Sequence, residues 1–392
     1  MVPHGRTVAG GLSGGGGVKK VGINLVWMVP GVVGGSETYV ARLLSGLAER
    51  PSRFDYTLFV LPQFKEAHPE LAQTFKTAYA PVRGRMKSFR VAGESTWLLA
   101  QCKIRKIDLV HHAGGIVPLV RTNRPVLTIH DLQYLDYPDY FKKAKLTYLK
   151  KMLPRSAEAA RVIMTPSEFT RRQVIERLNI DPSIVTVVPH GISPREGKEA
   201  AREVRERYEL AGDFFLYPAI TYPHKNHLVL IKAFARLLEV HPETMLVLTG
   251  AKGSMEVPIF KEVKDLGIEK NVKRLGHVPM RDLDALYHDA IGMTFPSRFE
   301  GFGAPVLEAM SRSCPVIAAD ATALPEVVGE AGLLVSPDNT EEWCQAMCDL
   351  IEKDGLREQF AKAGLERSKD FTWDSAADVL EDVYARSLET AL

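Results

Sequence analysis

Two glutamates on either side of a glycine-rich stretch are the residues of this chain most suited to chemistry. Glu300 and Glu308 have seven residues between them, including Gly301 and Gly303. Glycine lets the backbone turn tightly and lets a ligand come close, and the N–H groups at the start of a helix favour a phosphate. Because carboxylates accept hydrogen bonds from paired hydroxyls, the pattern predicts a ligand with hydroxyls at both ends and a phosphate between them, such as a sugar nucleotide.

The sequence around these glutamates predicts a strand, a loop and a helix. Residues 291–295 are apolar and suit the end of a buried strand, while Val306 and Leu307 suit the buried face of a helix. We expect Pro305 at the first helical position, where its missing N–H costs nothing, and Glu308 in the first turn. An acidic residue placed at a helix start for the dipole alone is the simpler alternative.

This stretch resembles the Glu-(seven residues)-Glu signature of the retaining glycosyltransferases of family four, and the resemblance continues through residues 318–335. It implies the α/β GT-B fold, in which two facing, doubly wound, Rossmann-like parallel sheets border an interdomain cleft. It also implies that a hexose moves from a nucleotide-diphosphate sugar to a hydroxyl of a glycan, a lipid-linked or a small-molecule acceptor, with retention. Many mannosyltransferases of this kind carry His-Asp-Leu, found here at residues 130–132, so GDP-mannose is the first donor to consider.

The same resemblance implies roles for individual residues. Lys225 would neutralise the diphosphate, and Glu308 would bind the ribose hydroxyls. Glu300 would bind the hexose, and His130 would position it. The predicted catalytic residues are His130, Asp131 and Glu300, and the predicted donor-binding residues are Gly34, Gly35, Lys225, Asn226, His277, Val278, Gly301, Phe302, Gly303 and Glu308.

Some positions depart from the family pattern or stay outside it. An arginine found upstream of the lysine in some members is absent near Ala219, and His224 is expected to compensate in part. We expect no cofactor and no metal, since an Asp-x-Asp metal motif is not recognised. Cys344 and Cys348 would share a helix face, but no histidine cluster accompanies them, so we interpret them as packing residues.

Strands alternating with helices predict two domains of ordinary size in the 392 residues. We expect a disordered leader over residues 1–17 and an N-terminal, acceptor-side domain over residues 18–192. A nucleotide-sugar-binding domain would follow over residues 193–374, with a polar linker at its start. The helix from residue 375 to the chain end is expected to pack back on the first domain.

Charge and composition limit the kinds of partner that the chain could have. Residues 1–190 hold 27 Lys and Arg against 14 Asp and Glu, although the net charge of the chain is only +2. The rest of the chain is acidic, so the opposite charges would hold the two halves together, or the basic half would face an anionic acceptor or a membrane surface. Residues 138–152 would form a basic amphipathic helix; burial of its apolar stripe is the alternative. We expect no nucleic-acid partner. Scattered cysteines and the lack of a long apolar run indicate a cytoplasmic protein, with peripheral contact at the inner face of the membrane as one option.

Two other classes of protein stay open at this point. A sugar-nucleotide epimerase of similar fold would act on the donor without an acceptor. A non-catalytic subunit would bind the sugar nucleotide without turning it over. The two glutamates argue against the first, and the intact set of His130, Lys225, Glu300 and Glu308 argues against the second.

Overall fold

The computed structural model describes residues 17–32, 34–82, 87–192 and 201–389. The chain divides into two compact units, one of Met1–Gly191 with Thr372–Leu392 and one of Ile192–Phe371. These divisions lie one and three residues from the expected domain ends at residues 192 and 374. The expected leader (apart from Gly17) and the linker at residues 193–200 lie outside the described residues.

The first unit contains one sheet of seven parallel strands in the order β3-β2-β1-β4-β5-β6-β7. The strands are β1 (Lys20–Asn24), β2 (Asp55–Val60), β3 (Lys76–Tyr79), β4 (Leu109–His112), β5 (Pro125–Thr128), β6 (Val162–Thr165) and β7 (Val185–Val187). The helices are α1 (Gly35–Ala48), α2 (Phe64–Ala67), α3 (Pro69–Thr74), α4 (Lys87–Arg105), α5 (Gln133–Asp136), α6 (Lys143–Ala159) and α7 (Glu168–Leu178).

The second unit contains six parallel strands in the order β10-β9-β8-β11-β12-β13. The strands are β8 (Phe214–Pro218), β9 (Met245–Thr249), β10 (Val272–Gly276), β11 (Gly292–Phe295), β12 (Val316–Ala319) and β13 (Leu333–Val335). The helices are α8 (Ala201–Tyr208), α9 (His227–Leu237), α10 (Glu256–Asp265), α11 (Met280–Asp289), α12 (Ala304–Ser311), α13 (Leu324–Val328), α14 (Thr340–Glu352) and α15 (Leu356–Ser368).

Each sheet reverses its strand order once, beside its first strand. The reversal lies between β1 and β4 in the first unit and between β8 and β11 in the second. In open α/β sheets, ligands bind beyond the carboxyl ends of the strands at such a point. A ligand site of the second unit is therefore expected in the loops after β8 and β11.

The last helix, α16 (Trp373–Glu389), belongs to the first unit and packs against α1. Its buried face includes Ala377, Leu380 and Tyr384, and these residues join the apolar core that holds Leu43 and Leu44 of α1. The hydroxyl of Tyr384 lies 2.7 Å from Nδ1 of the buried His111. This agrees with the expected return of the C-terminal helix.

Local chemistry ends the first strand earlier than its apolar run predicts. The apolar run 21–28 predicts a longer strand, but β1 ends at Asn24, whose side-chain oxygen accepts a hydrogen bond from the Val26 N–H. Leu25, Val26 and Met28 are buried although they lie outside the strand. Their apolar side chains therefore indicate burial and do not indicate that the strand continues. Ser167 is the N-cap of α7, since its Oγ accepts from the Thr170 N–H.

The helix after the glycine loop also differs. Helix α12 begins at Ala304, so Pro305 occupies its second position, and Glu308 is the fifth residue and lies beyond the first turn. The prediction of an acidic residue in the first turn is therefore wrong. A carboxylate one turn further along gains less from the helix dipole, which weakens the simpler explanation for Glu308.

Helix α6 buries its apolar stripe within the first unit. Met152 and Leu153 are buried, and Leu146 and Leu149 are half-buried against the same core. Lys143, Lys145, Lys150 and Lys151 are exposed. No helix among the described residues is both long and apolar enough to span a bilayer.

Candidate active site

Lys225 and Glu300 meet at the strand-order reversal of the second unit. Lys225 lies in a short 3-10 turn after β8, and Glu300 lies in the loop after β11. The Lys225 Nζ donates to Glu300 Oε1 across 2.5 Å, and the two side chains are 17% and 14% exposed. The same ammonium lies 5.3 Å from the centre of the Phe295 ring. The fold thus holds a cation and a carboxylate in contact at the edge where a ligand is expected.

Hydrogen bonds between side chains and backbone fix the two loops that carry Lys225 and Glu300. Asn226 adopts a left-handed conformation with φ of 57°, and its Nδ2 donates to the carbonyls of Pro296 and Pro337. The Glu300 N–H donates to Thr322 Oγ1 across 3.0 Å. The sequence did not point to Thr322. Its backbone is left-handed, with φ of 56°, and threonine is not a residue type that predicts this conformation.

Gly303 shapes the loop between Glu300 and α12. Its φ of 108° favours glycine, and a Cβ at this position would lie 2.7 Å from Leu324 Cδ2. Gly301 precedes it and is half-buried. The Phe302 ring is buried against Phe371, with ring centres 5.8 Å apart. Any contact of Phe302 with a donor would therefore involve its backbone.

Glu308 projects from α12 towards a buried tyrosine. The Tyr287 hydroxyl lies 3.4 Å from Glu308 Oε2 and 3.4 Å from the Pro305 carbonyl oxygen. Burial, followed by the negative charge of Glu308, raises the pKa of Tyr287 well above its usual range. The hydroxyl therefore stays protonated and donates. Sequence reasoning missed Tyr287 because it lies on α11, far from Glu308 in the chain.

His224 does not supply the second positive charge that the sequence suggests. Burial, with a smaller contribution from the neighbouring Lys225, lowers the pKa of His224 to about 4, and Glu300 only partly opposes the effect. The imidazole is therefore neutral near pH 7. Its backbone carbonyl has a structural role instead, because it accepts from the Arg298 N–H across 2.8 Å.

His277 and Val278 follow β10, with His277 exposed and Val278 buried. The ladder between β9 and β10 shifts register before Gly276, whose φ is 73°. A cavity of about 490 Å³ borders this segment and is lined in part by Phe260, Arg274 and Gly276. Its size falls in the range of small-molecule pockets.

An Asp-x-Asp pattern does occur, at Asp282-Leu283-Asp284, so the expectation that the chain has no such motif is wrong. Both carboxylates are buried in ion pairs. Asp282 accepts from Arg207 across 2.8 Å and from the Tyr208 hydroxyl across 2.6 Å. Asp284 accepts from the buried Arg312 across 2.8 Å. These contacts connect α11 to α8 and to Arg312 at the end of α12.

His130 follows β5 in the first unit, with Asp131 exposed beside it. His130 Nε2 lies 2.9 Å from the Ala113 carbonyl oxygen. Because a carbonyl only accepts, Nε2 carries the proton and Nδ1 is the acceptor nitrogen. Burial lowers the pKa of His130, and the Ala113 contact and Asp131 partly oppose this effect. Asp131 itself accepts from the Gln133 N–H across 2.9 Å.

Gly34 and Gly35 form the start of α1 in the same unit. Both are exposed, and Gly34 has φ of 73° and ψ of −136°, which only glycine adopts readily. Glu37 supports this loop, since its Oε2 accepts from the Gly31 N–H across 2.9 Å. The second oxygen of Glu37 lies 3.0 Å from His68 Nε2. A glycine loop at a helix start is thus present, with the geometry that suits an anion.

The predicted site residues therefore fall into two sets. The second unit brings Lys225 and Glu300 into contact and anchors Asn226 to the same strand end; Glu308 lies on the following helix. His130, Asp131, Gly34 and Gly35 belong to the first unit. His111 and His112 are buried and hydrogen-bonded to Thr128 and Thr122, which supports a structural role.

Two family models match the chain over nearly all of its length. Residues 33–196 match "Glycosyltransferase Family 4", and residues 202–367 match "Glycosyl transferases group 1". The second match includes Lys225, Glu300 and Glu308.

Curated relatives agree with these matches. The O-antigen chain mannosyltransferase B of Escherichia coli is 31% identical over 294 residues, which cover 74% of this chain and 76% of that protein. The O-antigen chain mannosyltransferase RfbU of Salmonella typhimurium is 27% identical over 64% of this chain and 68% of its own length. A D-inositol 3-phosphate glycosyltransferase of Corynebacterium aurimucosum is 28% identical over 81% of this chain and 74% of its own length.

Solved structures share the fold. Sucrose-phosphate synthase from Thermosynechococcus elongatus aligns with a TM-score of 0.76 at 18% identity, covering 94% of this chain and 98% of that chain. The Anabaena protein HepE in complex with UDP and glucose aligns with a TM-score of 0.73 at 19% identity, covering 94% and 100%. At such identities the likeness concerns the architecture alone.

Proposed function

The chain belongs to the family 4 glycosyltransferases and has the GT-B fold, and from this premise we propose that it transfers a hexose, with mannose as the first choice, from a nucleotide-diphosphate sugar to a hydroxyl of a glycan acceptor. We propose retention at the anomeric carbon. The observation that carries the proposal is the Lys225–Glu300 contact at the strand-order reversal, beside the glycine loop and α12.

The charges of these groups match the charges that transfer creates. The bond from the anomeric carbon to the diphosphate oxygen breaks, and the electron pair stays on the phosphate. Lys225 and the N–H groups at the start of α12 favour that negative charge. An ammonium has three donors, so Lys225 can hold a phosphate oxygen and Glu300 together. Glu300 would then accept hexose hydroxyls and stabilise positive charge on the sugar.

The remaining roles are proposed on the same basis. Glu308, oriented by Tyr287, would accept the ribose hydroxyls. The cavity beside Gly276 supports a base site next to His277 and Val278. His130 would contact the hexose through Nδ1. The acceptor hydroxyl would attack the face that the phosphate leaves, and its proton would pass to the leaving phosphate oxygen.

The names of two relatives support mannose, since both are O-antigen chain mannosyltransferases. They also support a growing glycan as the acceptor. The exposed lysines of α6 support contact with an anionic membrane surface by charge. Insertion of the apolar stripe is disfavoured, because that stripe is packed within the first unit.

The test begins with calorimetric binding of GDP, UDP and dTDP, each in the presence of a chelator. We expect GDP to bind most tightly, and we expect GDP-mannose then to donate to a glycan acceptor without added metal. The anomeric configuration of the product, read by NMR, checks retention. Tighter binding of UDP would replace mannose with a UDP-sugar, and failure of all three to bind without metal would overturn the phosphate site.

The rival classes give other products from the same assay. An epimerase would convert the donor sugar in the absence of acceptor. A non-catalytic subunit would bind a nucleotide and leave both donor and acceptor unchanged. A glycosylated acceptor excludes both.

A further inference from the structure

Helices α9 and α14 of the second unit pack together, and their C-terminal ends hold three side chains with metal-binding chemistry. His241 follows α9, while Cys348 and Glu352 lie one turn apart on α14. Their ligand atoms all lie within 4.8 Å of one another. Among the described residues, these are the histidine, cysteine and acidic side chains whose ligand atoms lie close enough together to hold one metal ion.

The fold supplies the histidine that the sequence does not reveal. Cys344 and Cys348 share a face of α14, as the helical spacing predicts, and both are buried. His241 lies about a hundred residues earlier in the chain and reaches Cys348 only because α9 packs on α14. Packing alone accounts for two buried cysteines; His241 and Glu352, whose Nε2 and Oε1 lie 2.9 Å apart, add a nitrogen and an oxygen ligand beside Cys348.

We propose that His241, Cys348 and Glu352 bind one Zn²⁺ ion, with water in the fourth position. Imidazole nitrogen, thiolate sulfur and carboxylate oxygen are the usual ligands of this ion, and three protein ligands with one water form an established geometry. The Cys348 thiol gives its proton to solvent as the Zn–S bond forms. His241 Nε2 carries the proton that it donates to Glu352 Oε1; the imidazole changes to the tautomer protonated at Nδ1, and the freed lone pair of Nε2 binds the ion.

One of the three ligand distances already lies close to the tetrahedral value, and the three ligand atoms lie within 4.8 Å of one another. His241 Nε2 lies 2.9 Å from Glu352 Oε1. Two ligands at about 2.0–2.1 Å from a tetrahedral Zn²⁺ lie about 3.3 Å apart, so the pair opens by only about 0.4 Å. The Glu352 side chain is 52% exposed and can make this movement. Its exposure also leaves a route for the ion and the water.

The thiolate of Cys348, not its thiol, is the ligand, and a bound cation favours that form outright. The site therefore releases a proton when it takes up the ion.

The position of the ion implies a structural role. Helix α9 has 11 residues and starts directly after Lys225 and Asn226. At about 1.5 Å per residue, its far end lies roughly 17 Å from the proposed donor site. Helix α14 starts after Pro337, whose carbonyl binds Asn226. The ion would join the two helices at the end opposite the donor residues, so it would stabilise the unit and take no part in transfer.

The test uses Co²⁺ as a coloured substitute for Zn²⁺ on the full-length protein after chelator treatment and removal of the chelator. We expect a thiolate-to-cobalt charge-transfer band and tetrahedral d–d bands, both displaced by Zn²⁺. In C348A the charge-transfer band should vanish, and in H241A and E352Q the affinity should fall at least tenfold. Zn²⁺ at a hundred times its Kd should raise the Tm by about 5–10 °C.

C344A is the matched control, because it removes an equally buried thiol one turn away on the same helix. It should keep the band and the Tm shift. Absence of a charge-transfer band in the wild-type protein would overturn the proposal. So would a band that survives in C348A or that is lost only in C344A.

Discussion

At the scale of single residues, Glu300 is the strongest candidate for a group that acts on the sugar. We expect E300Q to lower kcat by about 10²–10³-fold, the range seen when one polar group that stabilises transition-state charge is removed. Binding of the nucleoside diphosphate should be kept, since Lys225 remains. Steady-state kinetics with GDP-mannose and calorimetry with GDP measure the two effects separately.

D338N provides the control for E300Q. Asp338 forms an ion pair with Arg298 in a neighbouring loop, with Nε and Oδ1 2.8 Å apart, and its side chain is largely exposed. Exposed ion pairs contribute little, so turnover should stay near the wild-type value. Wild-type turnover in E300Q would remove Glu300 from the proposed site.

At the scale of elements, the link between the glycine loop and α12 depends on Gly303. G303A combines a positive φ with a Cβ 2.7 Å from Leu324 Cδ2. We expect a loss of about 1–3 kcal/mol in the free energy of unfolding and weaker donor binding, because the loop must shift. Urea unfolding and GDP calorimetry check the two expectations.

G355A is the matched variant for this loop. Gly355 also precedes a helix with positive φ, at 75°, but an added Cβ would meet open space. It should lose about 1 kcal/mol or less and keep full GDP affinity. Equal GDP affinity in G303A and wild type would show that the loop geometry does not position the donor.

The elements also show what the sequence can and cannot reveal. Periodicity and glycine placement locate β11, the loop and α12, because strand ends and helix starts have local signals. The partners Thr322 and Tyr287 cannot be predicted in this way, because they lie 22 and 21 residues from Glu300 and Glu308 and the contacts depend on how separate elements pack. The neutral state of His224 could not be predicted either, because the burial that lowers its pKa exists only in the folded unit.

At the scale of the whole molecule, the first unit should lose stability in mild acid. Burial lowers the pKa of His111, His112 and His190 to about 3 from their usual 6.5. Below about pH 6.5 the unfolded chain binds protons that the folded unit excludes, so the stability present above that pH falls as pH falls towards 3. Each histidine contributes up to about 1.4 kcal/mol per pH unit.

Tryptophan fluorescence can follow this unit alone. The chain has four tryptophans, and Trp343 is the one in the second unit. In a W343F background, urea unfolding at several pH values should give a slope that H112Q reduces. H288Q, at an exposed position of the second unit, should leave the slope unchanged. A flat profile between about pH 7 and pH 5 would contradict the burial of these histidines as neutral groups.

Because α16 belongs to the first unit, a destabilising substitution near the C-terminus should lower the stability of the unit that contains the N-terminal half of the chain. Ala377 of α16 is buried in the core that contains Leu43 and Leu44 of α1, so A377D would bury an unpaired charge in the first unit. We expect a loss of more than about 3 kcal/mol there. The largest apolar cluster of the second unit consists of its own residues, including Phe295 and Leu307, so its stability should be kept.

Hydrogen exchange read by mass spectrometry tests this division. In A377D, amides of β1 and α1 should exchange much faster, while amides of β11 and α12 keep their protection. S375D places the same carboxylate at an exposed position in the first turn of α16, where it should be neutral or slightly stabilising. If β11 and α12 lost protection as fast as β1 and α1, the two units would unfold as one, and a C-terminal lesion would act on the proposed donor site directly.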